Sequence, residues 1–170
     1  MKKIILIAVM AILPLIASAQ TSIFDKFEEM DDVTTVVVNK DAFRMLAKFK
    51  GSTPEAKEYM EMVQNLESLK VFTTEIPAIA SQMNDVVAKY LKSTKLTELM
   101  RVKDKDANVK IYVRQGKDED HVSELLMFVN GLSENSSQEA VILSLTGNID
   151  LNKISEITEA HIPNSGLKKE

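Results

Sequence analysis

Two runs of strict two-residue alternation, joined by a short polar link, constrain this chain more than any other feature. In Glu98–Lys103, Met100 and Val102 alternate with Leu99, Arg101 and Lys103. In Asn108–Arg114, Val109, Ile111 and Val113 alternate with Lys110, Tyr112 and Arg114. A helix has no use for a period of two, so both runs are predicted strands. The link Asp104-Lys105-Asp106-Ala107 makes them a β-hairpin. Pattern then predicts the register. Pairing Lys103 with Asn108 sets Val102 opposite Val109 and Met100 opposite Ile111, on one face expected to be buried. A slip of one residue would bring apolar side chains opposite charged ones. Arg101 and Lys110 stand opposite each other on the other face.

The remaining segments change period repeatedly. Ile23, Phe24, Phe27 and Met30 predict a short amphipathic helix over Ser22–Met30, and the β-branched run Val33–Val38 predicts a strand. Asn39 is positioned to cap a helix that buries Ala42, Phe43, Leu46 and Phe49 and stops at Gly51. Thr53 and Pro54 open a second helix with Tyr59, Met62, Val63 and Leu66 on one stripe. Leu69–Thr74 reads as a strand, and Ile76, Ile79, Met83, Val86, Val87 and Tyr90 describe a third helix to about Leu91. Ser123–Val129 is apolar on both faces and should be a central strand. Asn130–Gln138 reads as a polar loop, and Ala140–Thr146 as a strand ending at Gly147. Asp150 can cap a last helix facing inward through Leu151, Ile154 and Ile157. This order predicts a single α+β domain, a mostly antiparallel sheet with about four helices packed mainly on one face. Residues 20–162 form the domain and 163–170 a polar tail.

The first 19 residues read as an address. Lys2 and Lys3 precede an apolar run from Ile4 to Ile16, and Ala17-Ser18-Ala19 supplies small residues for cleavage between Ala19 and Gln20. The run is shorter than the roughly 20 apolar residues of a membrane span, so no transmembrane anchor is expected in the mature chain. Removing two lysines takes the formal charge from −4 to −6. The expected location is the periplasm, or the medium if the protein crosses an outer membrane. The chain has no cysteine, which excludes disulfides, thiolate metal sites, thiol catalysis and a lipid-modified cysteine. Its acidic balance gives no electrostatic reason to expect nucleic acid as a partner.

Several segments in order carry a resemblance: Phe24-Asp25-Lys26-Phe27 leading to Val33–Val38, Leu69–Glu75, Glu98–Asp104, Asn108–Arg114 and Leu143–Leu151. Together they resemble a domain-of-unknown-function family of small exported proteins from Bacteroidetes, over about residues 23–158. The resemblance implies export and one domain, and it brings no activity, cofactor or catalytic residue.

Chemical motifs are sparse. The histidines are His121 and His161, and no Gly-x-Ser-x-Gly elbow accompanies the serines. Asp104-x-Asp106-x-Asn108 opens like a calcium loop, but Val109 stands where glycine should be and Gln115 where glutamate should be. The five glycines are scattered and build no phosphate cradle. No catalytic residue, metal site or cofactor is therefore assigned. What stands out is positive charge on the hairpin of an acidic protein, and Arg101, Lys103, Lys110, Tyr112 and Arg114 are the candidate binding residues. They suit an acidic protein segment, glycan or lipid headgroup; alternatively they are a solvated face offset by neighbouring carboxylates. The expected function is that of an exported, non-enzymatic binding or regulatory protein of the bacterial envelope. The rival readings are an envelope hydrolase with an unrecognised site and a structural partner docking through a sheet edge.

Overall fold

The computed structural model describes residues 22–48, 54–103, 107–131 and 140–153. Its frame is one six-stranded sheet in the order β1-β2-β6-β5-β4-β3, antiparallel at every pair. The strands are β1 Thr34–Asn39, β2 Leu66–Thr74, β3 Thr97–Lys103, β4 Ala107–Gln115, β5 His121–Gly131 and β6 Ala140–Asp150. The helices are α1 Lys40–Leu46, α2 Pro54–Gln64 and α3 Pro77–Ser93, preceded by a 3-10 turn at Asp25–Phe27. The α+β class and the antiparallel sheet are those read from the sequence.

The helices divide between the faces of the sheet. Ala80, Met83, Val86 and Val87 on the stripe of α3 pack with Phe72, Leu126, Phe128 and Ile142. The 3-10 turn adds Phe24 and Phe27 to this core, and Phe24 meets the Tyr90 ring edge-on at 5.0 Å. On the opposite face α1 and α2 cover one end, where Phe43 and Leu66 are buried with Val122 and Ile149. Alternation along β5 explains how one strand serves both: Leu126 and Phe128 point one way, Leu125 and Met127 the other.

Several boundaries shift for local reasons. The expected helix at Ser22–Met30 contracts to the 3-10 turn, whose three-residue repeat already buries both Phe24 and Phe27. Asn39 caps α1 as expected, its side chain accepting from the Ala42 N–H at 3.0 Å, but Leu46 is exposed. Leu66 leaves the helical stripe and opens β2, at a bulge paired with Gly147. β6 does not stop at that glycine; it runs on to Asp150 and buries Ile149. Of the loop expected at Asn130–Gln138, Asn130 and Gly131 belong to β5; the rest of it, with Phe49, Gly51, Thr53, Ile154, Ile157 and the cleavage site, lies outside the described residues.

Candidate functional site

The hairpin register is the one expected: Met100 faces Ile111, Arg101 faces Lys110, Val102 faces Val109 and Lys103 faces Asn108. Burial differs. β3 is an edge strand exposed along its whole length, with Met100 47% and Val102 49% accessible, while Val109 and Ile111 are half-buried. Among the described residues, cover on that face comes from α1, α2 and Leu151 at one end of the sheet and does not reach this corner.

Arg101, Lys103, Lys110, Tyr112 and Arg114 share the face on which α3 lies, and a carboxylate pairs with each of the two arginines. Glu98, brought opposite Tyr112 by a bulge in β3, takes the Arg101 guanidinium at 2.6 Å. That hydrogen bond, outweighing a small desolvation, holds the Glu98 carboxyl below the usual range, and Lys110 contributes in the same direction. The like-charged pair thus has a carboxylate beside it. Tyr112 is buried, and burial first, then the Glu98 charge, raises its phenol pKa. Arg114 turns inward, giving Glu124 hydrogen bonds from Nε at 3.1 Å and Nη2 at 2.9 Å.

Arg114 leads to a cavity of about 760 Å³. Its floor is a single cross-strand row: Ser68 faces Thr146, Thr146 faces Glu124, and Glu124 faces Arg114. The next row supplies Lys70 opposite Ser144. The end of α3 forms one wall with Tyr90, Ser93 and Thr94, and Ser22 and Ile23 form another. Glu124 is a buried carboxylate, held by Arg114 and by the Tyr90 O–H at 2.7 Å. Burial, followed by the hydrogen bond and charge of Glu124, pushes the Tyr90 phenol up to about 12. Lys70 donates to Asp25 and, at 2.8 Å, to Glu28. Burial works to lower the Lys70 pKa, but those two carboxylates prevail and raise it. Both cations in the lining are therefore already neutralised. Ser93 and Thr94 donate their hydroxyls to the Tyr90 carbonyl at 2.9 and 2.8 Å, so the negative end of α3 faces the cavity.

The alternation in Ser68-Leu69-Lys70-Val71 and in Leu143-Ser144-Leu145-Thr146 marks these polar positions as one side of each strand. That β2 and β6 are neighbours, with Glu124 beside them, is a fact of strand order and is not visible in the pattern. Of the histidines, His121 hydrogen-bonds Asp118 and so lowers that carboxyl's pKa, while the nearby Ser123 hydroxyl donates to the Gln115 carbonyl at 3.2 Å. His161 lies outside the described residues.

Fold and cavity together define a single-sheet α+β protein with a hydroxyl-lined recess at the end of α3. The chain belongs to the family Domain of unknown function (DUF4252), whose profile matches residues 27–157. The match includes the whole cavity floor. No curated protein and no solved structure matches the chain.

Proposed function

We propose that this is an exported, non-enzymatic binding protein of the bacterial envelope, of the kind found in Bacteroidetes. Its cavity holds a small, neutral, polyhydroxylated molecule such as a saccharide unit. Export is supported by Lys2-Lys3, the apolar run and Ala17-Ser18-Ala19, with the periplasm, or the medium beyond an outer membrane, as the destination proposed. The observation that carries the binding assignment is the cross-strand row Ser68–Thr146–Glu124–Arg114 under a cavity of about 760 Å³, within the range of ligand pockets. Serine and threonine hydroxyls both donate and accept, as do those of a polyol. Arg114 is neutralised by Glu124, and Lys70 by Asp25 and Glu28, so neither cation among the described residues of the lining is left seeking an anion. The carbonyl end of α3 favours O–H donors over negative charge. The acidic-partner reading retains Lys103 and Lys110, since Glu98 and Glu124 hold the two arginines.

Titration of the chain Gln20–Glu170 with neutral sugars, uronic acids and inorganic phosphate, followed by amide NMR, tests the assignment. Neutral sugars are expected to shift Ser68, Ser144 and Thr146. Ser68→Ala combined with Ser144→Ala should weaken binding about tenfold, equivalent to about 1.4 kcal/mol. Shifts confined to Lys103 and Lys110, produced by uronic acid or phosphate alone, would restore the acidic partner and remove the saccharide.

A further inference from the structure

The two edge strands of the sheet differ in what they offer another strand. β3 carries Glu98, Arg101 and Lys103 and is bulged between Glu98 and Met100, and charge and a bulge both discourage a further strand from adding to an edge. β1, at the other edge, has neither. Its run Thr34-Thr35-Val36-Val37-Val38 is β-branched throughout, holds no charge and no proline, and pairs with β2 without a break in register. Side chains on both of its faces are open: Val36, on the side of α1 and α2, and Val37, on the side of α3, are each 48% exposed. Among the described residues no strand lies beyond β1, so the outward N–H and C=O groups of its backbone have no strand partner.

We propose that the β1 edge is an interaction surface for a second copy of this chain, the two β1 strands pairing antiparallel about a two-fold axis at Val36 so that the sheets join into one. Face and charge select the register. With Val36 opposite the second copy's Val36, Thr35 meets Val37 and Thr34 meets Val38, so side chains of one face meet side chains of the same face. Just beyond the strand ends, Asp32 of each copy comes opposite Lys40 of the other, and both residues are exposed. Lys40 gives one hydrogen to Glu67 at 3.0 Å, and an ammonium has two more to give. A slip of one residue would set opposite faces against each other, and a slip of two would remove both charge pairs. The two-fold axis makes every contact twice and closes the assembly at two copies. The strip Thr34–Val38 is small beside the roughly 1,200 Å² of a stable interface, so the association is weak and depends on concentration. Among the described residues the cavity lining takes nothing from β1, so this surface is separate from the binding site.

The chain has no cysteine, so Val36→Cys and Met100→Cys each place a single thiol on an edge strand, at nearly equal exposure. Directly opposite Cα atoms of antiparallel strands are about 4.5–5.5 Å apart, within the span of a disulfide. Under mild oxidation Val36→Cys should therefore cross-link to a dimer several-fold faster than Met100→Cys. Equal rates, or faster cross-linking through Met100→Cys, would overturn the proposal. Sedimentation of the chain Gln20–Glu170 at rising concentration should show reversible dimer. Asp32→Lys should weaken that dimer several-fold, and adding Lys40→Asp should restore it. Val36→Lys puts two like charges on the axis and should abolish the dimer, with circular dichroism as the folding control. If that variant does not fold, the two cysteine variants decide the matter. A chain that stays monomeric at every concentration, or a dimer that neither Val36→Lys nor Asp32→Lys weakens, would likewise overturn the assignment.

Discussion

Glu124 stands where the apolar and polar halves of the α3 face meet, and its surroundings explain why a carboxylate can be buried there. An unpaired buried charge would neutralise or destabilise the fold; in this one Oε2 accepts two N–H groups of the Arg114 guanidinium and Oε1 accepts the Tyr90 phenol. Removing Arg114 should cost about 2 kcal/mol, less than the 3–5 kcal/mol of a fully buried pair, because its side chain is 39% exposed and screened by water. Tyr90→Phe removes a hydrogen bond to a charged acceptor and should cost about 1.5 kcal/mol at pH 7. The raised phenol pKa fixes the sign of a pH effect. The contribution of Tyr90 is intact below the ordinary tyrosine pKa near 10 and is lost as pH rises toward about 12. Urea midpoints measured from pH 9 to 12 should therefore fall more steeply for the wild type than for Tyr90→Phe. Parallel curves would remove Tyr90 from the account.

At the scale of the element, the passage of β6 beside the α2–β2 turn depends on Gly147. Its φ of +141° is one that side-chain-bearing residues rarely adopt, and a Cβ there would lie 2.6 Å from the Asn65 carbonyl oxygen and 2.7 Å from Leu66 Cα. The same carbonyl accepts from the Asn148 N–H at 3.0 Å, so the backbone cannot simply withdraw. Gly147→Ala should cost about 1–3 kcal/mol in chemical denaturation; a neutral result would show that the turn can move. The hairpin calls for a paired measurement. Leu126→Ala, in the middle of β5 and fully buried, should cost about 2–5 kcal/mol. Val102→Ala on the exposed edge strand should stay within about 0.5 kcal/mol. Alternation in Glu98–Lys103 and Asn108–Arg114 made this register legible, because only one pairing keeps like opposite like. It said nothing of which face is covered, since that depends on where α1, α2 and α3 lie.

For the whole molecule, the sheet separates two tasks. α3 and the 3-10 turn close one face and leave a polar recess beyond the end of the helix, while α1 and α2 close only one end of the other face. Among the described residues no helix is long and apolar enough to cross a membrane. If the chain is exported as proposed, intact-mass analysis of the periplasmic fraction should give a protein starting at Gln20, with Met1–Ala19 removed. Recovery of the uncleaved chain in the membrane fraction would overturn that location.

Local pattern by itself determined most of the described elements, the α+β class and the hairpin register, because periodicity, capping and alternation act between residues close in sequence. It also showed Arg101 facing Lys110, but not the Glu98 carboxylate set beside them by a bulge in β3. Strand order was decided only by the tertiary structure. Ser68, Arg114, Glu124 and Thr146 come from four strands, and β2 reaches β6 only after α3 and the whole β3–β6 meander have been laid down. Such a site depends on contacts between residues far apart in the chain, and a pattern read along the chain cannot carry it.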